Sequence, residues 1–198
     1  LIGSVFAEAS EGAGVDLWQI SQNADDDRLN QTEYTQPALL AANIALWRVW
    51  QQQGGAQPAV LSGHSLGEYA ALVAAGALSL KDGAHLVRLR GQFMQAAVPA
   101  GTGAMAAVLG AEDAQVEQVC IECSNDASAV VAANYNSPGQ IVIGGHAEAV
   151  ERAIAALQAA GIRKTVKLAV SVPSHTPLMR DAAVQLQEAI GALAWQMP

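Results

Sequence analysis

Apolar residues along this chain follow two spacings, and the switches between them mark out its elements. In "PALLAANIALWRVWQQQ" (37–53) they recur at three- and four-residue steps with little polar face, which predicts a helix buried on most sides. Pro37 stands where a first helical turn tolerates a missing N–H, and Gly54-Gly55 stops the helix. After Pro58 the short apolar run "AVLSG" (59–63) predicts a buried strand. Helical spacing returns in "HSLGEYAALVAAGAL" (64–78), closing near Gly76, and again in "KDGAHLVRLRGQFMQAAV" (81–98), stopped by Pro99. Helix, strand, sharp turn and helix in succession indicate an α/β organisation.

The composition shifts at "PAGTG" (99–103), a hinge, and the rhythm beyond it is different. "AMAAVL" (104–109) reads as strand, "AEDAQVEQVCIEC" (111–123) as helix, and "AVVAANY" (129–135) as strand. "NSPG" (136–139) is a turn, "QIVIGG" (140–145) a strand, "AEAVERAIAALQAAG" (147–161) a helix closed by Gly161, and "RKTVKLAV" (163–170) a last strand. The order βαββαβ is that of the split ferredoxin-like motif. The chain then returns through "SVPSHTPLMRDAAVQLQEAIGAL" (171–193), a proline-containing loop leading into a helix near Pro177. The expected division is a larger subdomain of residues 1–100 and 171–198 with a small ferredoxin-like subdomain, 101–170, inserted into it.

Charge narrows the partners. Ten basic against eighteen acidic residues leave a net charge of -8, which argues against a nucleic-acid partner. No window approaches the roughly 18 unbroken apolar residues of a membrane span. Nothing at the start resembles a signal peptide, although the chain opens on Leu1 rather than methionine, so its true N-terminus stays open. The run Asp25-Asp26-Asp27 reads as a solvated loop. Cys120 and Cys123 have C-x-x-C spacing without a second pair of ligands, so they read as reduced thiols at the end of a helix, in a reducing, cytoplasmic setting, with no metal.

The candidate chemistry is at "SGHSLGEYAAL" (62–72). Gly63-x-Ser65-x-Gly67 between a predicted strand and a predicted helix is the nucleophile-elbow pattern. The glycines allow a sharp turn in which side chains would collide with the neighbouring strand and helix, and the helix N-terminus favours a developing oxyanion. The backbone N–H of Leu66 is the natural first oxyanion donor. A serine in an ordinary glycine turn is the other reading. A serine nucleophile needs a base. Of the four histidines, His85 sits mid-helix, His146 lies in the N-cap region of a helix, and His64 points away around the turn. His175, on the loop where the chain re-enters the first subdomain, is the best candidate. The acids between Ser65 and His175 fall mostly on helices, so a third triad member is either absent or replaced by a backbone carbonyl or amide side chain. Arg90 offers a guanidinium fork for a substrate carboxylate, or is a surface helix residue.

Taken in order, "TQPALL", "GHSLGEYAALVAAG", "RGQFMQ", "GTGAMAAVLG", "NYNSPGQIVIGG" and "VPSH" resemble the malonyl-CoA:acyl carrier protein transacylases of bacterial type II fatty-acid synthesis, over essentially the whole chain. The resemblance implies an α/β-hydrolase-like larger subdomain, incomplete here, and a ping-pong transfer from malonyl-CoA to the phosphopantetheine thiol of acyl carrier protein. It implies Ser65 as nucleophile, His175 as general base and acid, Arg90 on the malonyl carboxylate and Leu66 N–H as an oxyanion donor. His64, Asn134, Asn136 and Gln140 would line the substrate cleft, and no cofactor is implied. Carrier protein is acidic, so docking is expected on the basic cluster Arg163, Lys164, Lys167 and Arg180 of a monomer. The family's N-terminal loop, which carries a second oxyanion amide, and its C-terminal segment have no counterpart within residues 1–198, so this stretch alone is expected to be weakly active and poorly stable; one lost oxyanion donor costs about 10²–10³ in rate. Other readings are a serine hydrolase or thioesterase using the same elbow, an acyltransferase domain of a larger polyketide or fatty-acid synthase, and a docking domain without chemistry.

Overall fold

The computed structural model describes residues 1–170 and 172–198. Ser171, the first residue of the expected returning segment, lies outside them. The chain is α/β and forms two compact units, 1–93 with 184–198, and 94–183. The divisions fall at 93/94 and 183/184 rather than at 100 and 170, because the helices Leu80–Ala97 and Arg180–Gly191 carry the chain through them.

The first unit is helical. It contains α1 (Ile2–Ala13), α2 (Leu17–Gln22), a 3-10 turn (Asp27–Asn30), α3 (Thr32–Gln52), α4 (Leu66–Ala74) and most of α5 (Leu80–Ala97). Its core joins Val5 and Ala9 of α1, Leu17 of α2, Leu40, Ala41 and Ile44 of α3, and Leu80, Ala84 and Val87 of α5. These spacings place each set on one helical face. Burying each of the large aliphatic side chains contributes about 1.5–3 kcal/mol relative to leaving it in water. α3 starts at Thr32, upstream of the expected Pro37, which sits inside the helix. The missing proline N–H removes one rung, the bond that would have gone to the Glu33 carbonyl, and the helix runs on regardless. The Asp25–Asp27 run is not wholly solvated either. Asp26 caps the 3-10 turn by accepting from the Arg28 N–H at 3.1 Å and pairs with the Arg28 guanidinium at 2.5 Å, which holds its carboxyl below the usual range.

The expected strand at 59–63 does not form; Val60 is 81% exposed. All four strands among the described residues pair with one another in the second unit. Without a neighbour to take its N–H and C=O groups, an apolar run has no reason to hold strand geometry.

The second unit contains β1 (Gly103–Leu109), α6 (Asp113–Glu122), β2 (Val130–Ser137), β3 (Gln140–His146), α7 (Ala147–Ala159), β4 (Lys164–Lys167) and the start of α8 (Arg180–Gly191). The strands form one sheet in the order β2-β3-β1-β4, with every neighbouring pair antiparallel. This is the arrangement that the βαββαβ order predicts. Ala104, Ala106 and Val108 alternate onto one face with Ile141 and Ile143, and there they meet Val116 and Cys120 of α6 and Val150, Ala153 and Leu157 of α7. β4 is shorter than the expected 163–170, its pairing running from Lys164 opposite Leu109 to Lys167 opposite Ala106. Burial in this core pushes the Cys120 thiol up to about 12, and both cysteines are free. Among the described residues no helix is long and apolar enough to cross a membrane.

Candidate active site

The turn before α4 holds Ser65 at φ 53, ψ -115, a conformation a non-glycine residue enters only at a cost of about 1–3 kcal/mol. Its surroundings impose this. The Gly67 N–H donates to the His64 carbonyl at 2.8 Å, and the Glu68 N–H to the Ser65 carbonyl at 3.1 Å, so the helix starts at the serine without a gap. A Cβ on Gly63 would lie 2.0 Å from the Gly67 carbonyl carbon, so the chain passes under the turn only as glycine. Gly67 does not repeat the argument: among the described residues a Cβ there meets nothing within 4 Å, since no strand lies beside it. Gly63→Ala is therefore expected to slow the reaction of Ser65 with a serine-directed phosphonate probe by about 10²-fold, the scale of a 1 Å misplacement. An unchanged probe rate in a folded variant would show that the close approach does not govern the serine.

Leu66 is the first residue of α4, where an N–H has no acceptor within the helix and faces outward at the positive end of the dipole. α5 comes close to α3 at Gly91, where a Cβ would lie 2.5 Å from the Glu33 Cα. That approach brings Arg90 of α5 beside both α3 and the elbow. Its Nη2 donates to Ser65 Oγ at 3.1 Å and its Nη1 to Gln36 Oε1 at 2.6 Å, while its Cζ lies 5.8 Å from the centre of the Tyr69 ring. Burial lowers the Arg90 pKa, with Tyr69 and Glu68 acting in the opposite direction. Arginine starts so far above neutrality that the group remains a cation. Burial likewise pushes the Tyr69 phenol up against the pull of Arg90.

A guanidinium on the nucleophile has a chemical consequence. An acyl group whose carbonyl is attacked by Ser65 Oγ must place its next few atoms against Arg90. The arrangement therefore suits an acyl group that carries an anion a short spacer from the reacting carbonyl. Gln36 and Tyr69, which complete this cluster, are absent from the residues singled out by sequence.

His175 belongs to the second unit. It is exposed, at φ 59, and the loop around it is tied to the sheet face opposite the helices. Pro173 packs so tightly on Gly103 that a Cβ there would meet it at 2.4 Å, and the Thr176 methyl sits 3.0 Å from the Cβ position of Gly144. Thr176 Oγ1 donates to the Pro173 carbonyl at 2.7 Å, closing the loop on itself. The two non-glycine residues with positive φ among the described residues are thus Ser65 and His175. His64 is exposed at the elbow, and His85 is exposed on α5. His146 ends β3 at the N-cap position of α7, its Nδ1 accepting from the Ala129 N–H at 3.0 Å, a structural role.

Asn134 is buried at a register shift between β2 and β3, Asn136 is exposed further along β2, and Gln140 opens β3 opposite Ser137. Arg163, Lys164, Lys167 and Arg180 are all exposed, and the Lys167 ammonium pairs with Glu151. Among the described residues no group of three His, Cys, Asp or Glu side chains is placed to hold a metal ion. An open groove of about 890 Å³ runs past Trp47, Pro58, Leu61, Glu68 and Leu72, and neither Ser65 nor Arg90 lines it.

Known proteins are similar to this chain in sequence and in fold. The malonyl CoA-acyl carrier protein transacylase of Salmonella typhimurium is 52% identical over 198 residues, all of this chain and 64% of that relative. The crystal structure of the malonyl-CoA:acyl carrier protein transacylase of Xanthomonas oryzae pv. oryzae superposes with a TM-score of 0.97 at 70% identity, covering 100% of this chain and 62% of that one. A solved complex of a type II PKS acyl-carrier protein with its malonyl-transacylase matches with a TM-score of 0.95 at 48% identity, over 100% of this chain and 63% of its counterpart. The chain thus spans less than two thirds of the length of these relatives. The acyl transferase domain model itself matches residues 6–198, and the chain belongs to the acyl transferase domain family.

Proposed function

We propose that the protein carrying this chain transfers a malonyl group from malonyl-CoA to the phosphopantetheine thiol of acyl carrier protein, through an ester on Ser65, and so supplies extension units for fatty-acid synthesis. The observation that carries the reading is the 3.1 Å contact between Arg90 Nη2 and Ser65 Oγ, which pairs a nucleophile with an anion receptor. The names of the relatives support it.

In this reading Ser65 Oγ attacks the thioester carbonyl as His175 takes the hydroxyl proton, and the Leu66 N–H donates to the oxyanion. The intermediate collapses with loss of the coenzyme A thiolate, which takes the proton from His175. The carrier thiol then gives its proton to His175 and attacks the ester, and Ser65 leaves as an alkoxide that recovers the proton. Arg90 holds the malonyl carboxylate through both steps; His64, Asn134, Asn136 and Gln140 contribute to substrate binding. Covalent catalysis of this kind asks for no cofactor. The working form in this reading is a cytoplasmic monomer, with no nucleic-acid or membrane partner, in keeping with a net charge of -8 and two free thiols.

The test is the fate of the malonyl group in the full-length protein. With malonyl-CoA and holo-carrier protein the expected product is the malonyl thioester of the carrier; release of malonate at the same rate with or without carrier would make the protein a hydrolase instead. Arg163, Lys164, Lys167 and Arg180 serve as the carrier-docking cluster. Reversing Arg163 and Lys164 to glutamate is expected to raise KM for carrier protein about tenfold while malonylation of Ser65 proceeds unchanged. An unaltered KM would remove the cluster from the interface.

A further inference from the structure

We propose that Gln36 is a positioning and specificity residue of this site: its neutral amide aims the Arg90 fork at the nucleophile without cancelling the charge that selects an anionic acyl group. The inference rests on the malonyl-transfer reading and deepens it.

Gln36 is 5% exposed, on the face of α3 that otherwise buries Leu40 and Ile44. A polar side chain there needs partners. Its Nε2 donates to Thr32 Oγ1, one helical turn earlier, at 2.8 Å, and its Oε1 accepts from Arg90 Nη1 at 2.6 Å. The first bond fixes the second. An amide presents a donor on one side and an acceptor on the other, so occupying the donor side at Thr32 leaves the oxygen for Arg90. With Nη1 held there and Cζ lying 5.8 Å from the Tyr69 ring centre, the planar guanidinium has little rotational freedom, and Nη2 meets Ser65 Oγ.

The neutrality of the acceptor matters as much as its position. A glutamate at this place would have the same shape, would keep Arg90 in the same plane, and would neutralise it. A substrate carboxylate would then face a compensated cation and a second carboxylate beside it. Discrimination between a malonyl and an acetyl group would collapse, while the elbow and its oxyanion donor stayed as they are.

The experiment compares rates of Ser65 acylation by malonyl-CoA and acetyl-CoA, in the full-length protein, across three variants. Gln36→Glu is expected to lower the malonyl-to-acetyl ratio of kcat/KM by about 10²-fold, mostly through KM for malonyl-CoA, with acetylation changed by less than about twofold. Gln36→Met removes the acceptor without adding charge and is expected to lower the ratio by about tenfold. Thr32→Val releases the amide and is expected to act in the same direction by about threefold. A merely structural role for Gln36 would lower both acylation rates together and leave the ratio alone. An unchanged ratio in whichever of the three variants fold overturns the assignment. Failure of the unmodified protein to take up malonyl at all would overturn the transfer reading instead, so the two failures are distinct.

Discussion

Ser65→Ala is expected to take up no malonyl group from malonyl-CoA, and transfer to carrier protein is expected to fall by at least about 10⁴-fold, the scale on which a covalent mechanism loses its nucleophile. The expectation comes from the backbone before the side chain. Ser65 occupies φ 53, where a Cβ is strained, although Leu66–Ala74 would start as well from a relaxed residue. Strain of this kind persists only where the surroundings enforce it, and here they do so through Gly63 packed against Gly67. What the strain produces is a hydroxyl at the helix N-terminus with Arg90 Nη2 at 3.1 Å. Alanine keeps the turn and the strain, so the variant should fold and melt close to the parent protein. The measurement is the intact mass after exposure to malonyl-CoA, followed by peptide mapping of residues 62–72. A malonylated Ser65→Ala protein would move the nucleophile elsewhere and remove the foundation of the proposed mechanism.

The elbow and the second unit were legible in the sequence because both depend on local rules. Gly63 and Ser65 encode a turn within a few residues. In β1 the short apolar run 104–109 and, in α7, the spacing of Val150, Ala153 and Leu157 are each complete within one element. Features that depend on a distant partner were not legible. "AVLSG" has strand character, but a strand exists only with a neighbour, and the described residues offer none. α1 carries its buried face on Val5, Phe6, Ala9 and Ala13, with Gly3 and Gly12 diluting the helical signal. Gln36 looks like a polar interruption of an apolar helix face until Arg90, 54 residues later, closes on its oxygen. Tyr69, too, is indistinguishable from a packing aromatic until the same guanidinium lies over its ring. The Arg90 cluster is a tertiary object: the sequence singled out Arg90 itself, with a surface helix position as the other reading, but neither of its partners Gln36 and Tyr69.

Arg90→Ala should convert selection of malonyl groups into indifference. Burial lowers the Arg90 pKa, which means the cation is unfavourable where it sits, and Tyr69 and Glu68 only partly relieve it. A malonyl carboxylate supplies the missing counter-charge through charge-assisted hydrogen bonds worth about 1.5–3 kcal/mol each. Two such bonds, discounted for the water each group gives up, correspond to roughly 10²–10³ in kcat/KM for malonyl-CoA. Acetyl-CoA has no carboxylate contact to lose there, so its rate should fall only by the smaller kcat effect of a Ser65 Oγ that Nη2 no longer orients. The carboxylate contact is the same before and during attack, so most of the loss should appear in KM. A smaller loss in kcat should accompany it, because Ser65 Oγ is no longer oriented by Nη2. Arg90→Lys is the informative control: a lysine keeps the charge but cannot fork between Ser65 Oγ and Gln36 Oε1, so it should restore only part of the malonyl preference. Acylation rates for the two thioesters in the three proteins decide the matter. If Arg90→Ala left the malonyl-to-acetyl ratio where it was, the anion receptor would have to be another group, and the contact with Ser65 would be structural.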